Sequence, residues 1–406
     1  MTRRERVLRA LAFEETDRAP MDLAGMASTG ISCFAYPGLV AALGLPPRRP
    51  RVYDTGQMLA LPDTDVLDEL DIDVATVMPD ATNAFEQPEL WRPYDFNGRL
   101  PALVRDPDMF ETLEDGTIIQ PRHGNRMPPS SHVFESDHGG QPFDLAGEIP
   151  RPDLERIREH FAENPFREEE AMRIAAHCRR AREATDRAIL FCGPGAGIGI
   201  GGFTGIAQFP LLCMTAPQFV AALHEAYTQY AVATLETLLP HIHSYIDVYL
   251  VSADDWGTQA QLVAAPSVYE ELFLPYYRRI NDAIHRLAPG VKTFLHSCGA
   301  VYDLIDLVIA SGFDVLNPVQ WTAGGRGCRE WKEKACGRLA LWGGGVNTQS
   351  TLPLGTVADI EREVREVVSC MKVGGGYVFC AIHNILAEIP GEKVAAMYRA
   401  AATCHA

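Results

Sequence analysis

A histidine and a cysteine two residues apart, His296-Ser297-Cys298, followed by Gly299, close the apolar run Val291 to Leu295. On an extended strand, residues i and i+2 share a face. Imidazole and thiolate are donors that zinc takes together. A third donor would complete a site. His383 follows a later apolar run, Tyr377-Val378-Phe379, and Cys380 lies between them as a rival. Three N or S donors with a fourth position left open is the pattern of a catalytic zinc ion rather than a structural one. The sequence leaves open whether His383 or Cys380 is the third ligand, and cobalt or iron would suit the same donors.

Carboxylates stand in comparable places. Asp254 and Asp255 end the run Ile246 to Val251, and Asp80 follows Val74 to Met78. Such groups can act as general acid or base; they can equally cap a helix or shape a turn. Gln320, Trp256 and Asn384 are the expected substrate contacts. The stretch Gly193 to Gly202 has GxGxG spacings, but no clean GxGxxG opens a helix there and no GxxxxGK[ST] occurs. A loop packing near a ligand is the better expectation than a phosphate cradle.

These residues need a scaffold that gathers them. Arg4 to Phe13 has a helical stripe of Val7, Leu8, Leu11 and Ala12. Strands are expected at Met21, Val74, Ala188, Ile246, Val291, Phe313, Leu339 and Tyr377, with helical patterns alternating from Pro152 onward. Strand-then-helix repetition implies a parallel sheet, and eight such strands close a (β/α)8 barrel. A doubly wound open sheet is the competitor. Residues of about 92–150 are rich in Gly, Pro, Asp and His with short β-like runs, and are expected to be a β/loop insertion. The expected architecture is therefore one α/β domain over 1–406, a TIM-type barrel with an N-terminal helical extension and that insertion. In a barrel the catalytic groups lie at the C-terminal ends of strands, which is where the candidates stand.

Composition narrows the classes. The chain is 47% hydrophobic and 22% charged, an ordinary globular balance. A net charge of −17 argues against nucleic acid and anionic membrane surfaces as partners. No 18-residue apolar run occurs and no signal peptide is visible, and the ten cysteines fit no disulfide framework, so a reducing cytoplasm is the expected setting.

Taken together, several strings resemble the uroporphyrinogen decarboxylase superfamily, and its catabolic, methyltransferase-like branch in particular. They are Arg4 to Leu8 with Asp17-Arg18-Ala19-Pro20, Asp254 to Gln259, Phe294 to Gly299 with Val301 to Ile305, Leu316 to Gln320, and Gly374 to Tyr377 with His383-Asn384-Ile385. The resemblance implies a TIM-type barrel and a zinc ion held by an HxC pair and a later Cys, a position filled here by His383. It implies methyl transfer between a small O-, N- or S-methyl compound, or a thiol or folate acceptor, and a cobalt corrinoid. No DxHxxG string is present, so the cobalamin is expected on a separate corrinoid protein. A homodimer is compatible with the resemblance. The decarboxylase branch carries an arginine motif where this chain reads Met21 to Ala27 without arginine. Its Asp80 does resemble the decarboxylase aspartate. A corrinoid-independent lyase or decarboxylase and a non-catalytic ligand-binding barrel are the alternatives.

Overall fold

The computed structural model describes residues 1–78, 88–135, 149–194, 198–200 and 205–404. Asp80 and much of the glycine-rich stretch lie outside the described residues.

Parallel strands buried on both faces need nearly unbroken apolar runs, and the expected runs do form them. Val74–Val77, Ala188–Phe191, Val248–Ala253, Lys292–His296, Val315–Asn317, Ala340–Trp342 and Tyr377–Val378 make a seven-stranded sheet in which each strand pairs with its sequence neighbour. The eighth stave is reduced to Met21, which bridges Phe379 in parallel. Met21 O accepts from Asp73 N at 2.8 Å, and Phe379 N donates to Pro20 O at 2.8 Å. The first stave therefore joins the second to the last and closes the barrel. Pro20 has no N–H to extend the pairing.

Alternate residues fill the interior. Val74, Ala188, Leu190, Val248, Phe294, Val315, Ala340, Trp342, Val378 and Cys380 form one buried cluster. Their neighbours Ile189, Tyr249, Leu295, Leu316, Leu341 and Phe379 face the outer helices. The helix Arg3–Leu11 stoppers the floor. Thr2 and Glu5 form a capping box at its start, and Val7 and Leu11 enter the interior cluster. Arg6 and Arg18 each reach the buried carboxylate of Asp73 at 2.6 Å.

Some boundaries differ from the sequence pattern. The helix expected through Pro152 to Ala184 is two, Leu154–Glu163 and Glu168–Ala184. Asn164, between them, precedes Pro165 and is pushed off helical geometry (φ −122, ψ 60). The helix expected over Val268 to Leu287 breaks at Phe273, just before Pro275, into Pro266–Leu272 and Leu274–Leu287.

The β-rich insertion recruits more chain than expected. Arg51–Asp54 and Leu59–Leu61 form a hairpin that joins Pro101–Val104 and Arg92–Asp95 in a four-stranded sheet. Glu111–Thr112, Ile118–Gln120 and Asn125–Met127 form a second, three-stranded sheet. Phe96, Phe110, Ile118, Met127 and Phe134 belong to the same buried cluster as the outer faces of the barrel strands. No helix among the described residues is long and apolar enough to cross a membrane.

Candidate metal centre

His296 is the last residue of its strand and stands on the inward face above Phe294. It pairs in register with Asn317 on the next stave. Asn317 Nδ2 donates to Trp342 O at 2.8 Å, which turns its Oδ1 toward His296 Nδ1 at 2.6 Å. The imidazole proton is thus held at Nδ1, and the Nε2 lone pair points into the mouth of the barrel. There it meets Cys298 Sγ at 3.3 Å and Ser28 Oγ at 3.2 Å.

Cys298 reaches this place differently from simple strand alternation. The strand ends at His296, and the thiol is carried on the turn beyond it. Asp255 Oδ1 accepts from Cys298 N at 2.8 Å, and Gly257 N donates to Cys298 O at 3.1 Å. Gln320 Oε1 accepts from Gly299 N at 2.8 Å. Here glycine is required: Gly299 has φ +87, and a Cβ on it would lie 2.3 Å from the Gly257 carbonyl carbon. A bulge in the pairing of Val248–Ala253 with Lys292–His296, just below, re-aims the chain toward Asp254 and Asp255.

His383 comes from the loop after Tyr377–Val378. Its Nδ1 lies 2.5 Å from Asn384 Oδ1, while Asn384 Nδ2 donates to Gln57 Oε1 at 2.9 Å. This leaves His383 Nε2 as the free donor atom, as for His296. One donor atom from each of His296, Cys298 and His383 lies within 4.8 Å of the other two. Donors in a tetrahedral zinc site sit roughly 3.5 Å apart, so the set closes on an ion with small side-chain adjustments. Two imidazoles whose Nδ1 atoms face amide oxygens, and one thiol, are a donor set that fits zinc. Burial holds the His296 imidazole below its ordinary pKa, which keeps it neutral. Burial, with Asp255 alongside, pushes the Cys298 thiol well above its ordinary value when no cation is there to offset it.

The other candidates distribute unevenly. Gln320 and Asn384 line a cavity of about 350 Å³ together with Asp255, Gln259, Cys298 and His383. Cys380 is corrected: it packs inside the barrel with Trp342 and Val378, outside the donor set, because it sits lower along its stave. Asp254 is corrected too. Its buried carboxylate accepts from Ile200 N at 2.5 Å, Trp256 Nε1 at 2.6 Å and Tyr277 OH at 3.3 Å, so it ties loops together instead of facing the cavity. Burial pushes its pKa up to about 7. Trp256 is wholly buried edge-on to Tyr269 and Phe273 and cannot touch substrate. Ser28, Asn317 and Gln57 were not anticipated as site residues. Asn317, a polar residue beside the HxC stave, carried some signal; Ser28 and Gln57 carried none.

Replacing Asn317 by alanine should lower zinc affinity by roughly 10–100-fold, since the ring would lose its orienting acceptor. Titration against a chelator of known affinity measures this, and an unchanged affinity would remove Asn317 from the site.

Donors gathered at the C-terminal ends of the staves, beside a cavity, define a (β/α)8 barrel of enzymatic type. The chain belongs to the uroporphyrinogen decarboxylase family, an enzyme family, whose model matches residues 198–404. It is 27% identical over 188 residues to the uroporphyrinogen decarboxylase of Syntrophotalea carbinolica, covering 45% of this chain and 48% of that one. It is 28% identical over 187 residues to the one from Geotalea uraniireducens, covering 46% and 50%. The chain thus spans about half the length of the curated relatives it matches. Among solved structures, a methyltransferase from Methanosarcina mazei superposes with a TM-score of 0.51 at 16% identity, covering 99% of this chain and 98% of that one. That likeness supports the barrel fold.

Proposed function

We propose that this chain is a zinc-dependent methyltransferase. It would move a methyl group between a small O-, N- or S-methyl compound, or a thiol or folate acceptor, and a corrinoid carried by a separate protein. The observation that carries this reading is the convergence of the His296, Cys298 and His383 donors within 4.8 Å at the barrel mouth. These three residues would hold zinc, which when bound supplies the Lewis acidity that deprotonates a thiol or polarises a methylated heteroatom.

The chain's own groups do the rest. Asn317 and Asn384 keep the imidazole protons at Nδ1, so both rings offer Nε2. Asp255 anchors the Cys298 turn with Oδ1 and lines the cavity beside it. Gln320 spends its carbonyl on Gly299, and its amide nitrogen makes a long 3.3 Å contact with Gln259 that a substrate oxygen can replace.

The decarboxylase alternative is less well supported. In the segment Met21 to Ala27, Asp22 is buried and accepts from Trp342 Nε1 and Gly25 N, both at 2.8 Å. That segment closes the barrel; it offers no cation to a polycarboxylate.

Mixing the zinc-loaded chain with methyl donors and a corrinoid protein should change the visible spectrum of the cobalt as it is methylated. Cys298→Ser should slow this by more than roughly 100-fold. Full activity in both His296→Ala and Cys298→Ser would overturn the reading, and turnover without any corrinoid protein would favour the lyase alternative.

The proton balance supplies a second test. Cys298 must ionise to bind metal, whereas His296 is already neutral. Protons therefore compete with zinc, and affinity should rise about tenfold per unit between pH 7 and 8.5. Calorimetry in buffers of different ionisation enthalpy should show about one proton released per zinc; none released would exclude Cys298 as a ligand.

A further inference from the structure

Two cavities meet at the donor set. One of about 350 Å³ is lined by Cys298 and His383. A larger chamber of about 500 Å³ runs under the insertion and also reaches His383. A substrate atom brought to the open position meets one more group beside the donors, a hydroxyl.

Ser28 Oγ lies 3.2 Å from His296 Nε2, and Ser28 is only 9% exposed. Among the described residues, Nε2 is the only hydrogen-bond partner of this hydroxyl. The His296 proton sits at Nδ1, against Asn317 Oδ1 at 2.6 Å, so the serine donates and Nε2 accepts.

The hydroxyl is held firmly in place. Ser28 belongs to the single turn Ala27–Thr29, a few residues after the stave at Met21. Before the turn, Asp22 N donates to Phe379 O at 2.8 Å, and Met26 packs into the barrel interior. Across it, Thr29 Oγ1 accepts from Met26 N at 3.2 Å, and Ala24 N donates to Thr29 O at 2.8 Å. After it, Ile385 N donates to Gly30 O and Ser32 N donates to Ile385 O, both at 2.8 Å. Ile385 follows His383 closely in the chain, so the turn is laced to the segment that supplies the third donor.

Once Nε2 is engaged by an ion, the serine has lost its acceptor, and a hydroxyl this buried is costly without one. Its proton is then free for the atom that fills the open position. A thiolate sulfur, or an ether or alkoxide oxygen, keeps a lone pair after it binds a metal and can accept. An amine nitrogen has used its only one.

Resting on the metal-centre reading, we propose that Ser28 donates a hydrogen bond to the substrate atom at the open position, and thereby favours sulfur and oxygen substrates over nitrogen ones.

The test titrates the zinc-loaded parent and zinc-loaded Ser28→Ala with ethanethiol and with imidazole by calorimetry. In the variant the thiol should bind about tenfold more weakly, since a hydrogen bond to a charged acceptor is lost. Imidazole, which has no lone pair left for the serine, should bind unchanged, and this also reports that the variant is folded. Zinc affinity should not fall, because the variant removes a competitor for Nε2. With cobalt in place of zinc, the sulfur-to-metal band that ethanethiol adds should move to longer wavelength in Ser28→Ala, because the lost hydrogen bond no longer lowers the energy of the sulfur lone pair. An unchanged thiol affinity, an equal loss for both ligands, or a fall in zinc affinity overturns the proposal and leaves the metal centre standing. A parent that takes up no zinc, or binds neither ligand once loaded, overturns the open metal centre, and this inference with it.

Discussion

On the proposed zinc reading, the His296→Ala variant is expected to be purified free of zinc and the unaltered chain to carry about one ion per molecule. The two imidazoles and the thiol are the donor set, and removing one leaves two. The neighbouring oxygens are poor replacements. Asp255 Oδ1, 3.6 Å from His296 Nε2, already accepts from Cys298 N, and Ser28 offers only a neutral hydroxyl. Cys298→Ser should behave alike, because a serine hydroxyl does not ionise as a thiol does. Cys380→Ser should keep its zinc, since that thiol lies within the barrel interior. Metal analysis of the three variants beside the parent reads all of this at once. Zinc retained in both His296→Ala and Cys298→Ser would place any metal elsewhere, and zinc lost in Cys380→Ser would reinstate that residue as a ligand.

At the opposite end of the barrel, Asp73→Ala should destabilise the fold by about 3–5 kcal/mol. Asp73 is fully buried and accepts from Arg6 Nη1 and Arg18 Nη1 at 2.6 Å and from Met21 N at 2.8 Å. Removing the carboxylate leaves the largely buried Arg18 guanidinium with backbone carbonyls alone, leaves Arg6 with Asp17 as its one counter-ion, and cuts a bond to the residue that closes the sheet. Surface pairs such as Arg362 with Asp359 are worth far less, because water already screens them. Denaturant midpoints for Asp73→Ala and Arg362→Ala make the comparison, since Asp359 also caps its helix through Thr356. Equal, small losses would mean that the floor of the barrel tolerates unpaired charge.

The staves were readable because strands buried on both faces cannot hide their composition. Even the one-residue stave at Met21 stands between Pro20 and Asp22 in a short apolar run. The hairpin Arg51–Leu61 was not readable: its first strand is four residues long, half-exposed and mostly polar, and tertiary pairing with Pro101–Val104 holds it. The helix breaks at Asn164 and Phe273 had a visible cause in the prolines that follow. In the site, strand-end position picked out His296, Cys298 and His383. The choice between His383 and Cys380 depended on depth along the stave, which alternation does not supply. Asp254 and Asp255 are identical in sequence terms, yet one is sealed under Tyr277 and Trp256 while the other faces the cavity. Ser28 and Gln57 belong to segments remote in the chain, and only the closed barrel brings them to the mouth.

The insertion that roofs the larger chamber has a consequence for how such a protein diversifies. All three donors fall within 198–404, the half that matches the family model. Gln57 and Ser130 to Glu135, which wall the chamber, fall outside it. The donors and the roof of the larger chamber are thus encoded in different stretches of chain, while residues 383–388 wall that chamber from within the donor half. Drift in the roof can retune which molecule is admitted while the donors stay untouched, so a lineage can change diet without reinventing its chemistry.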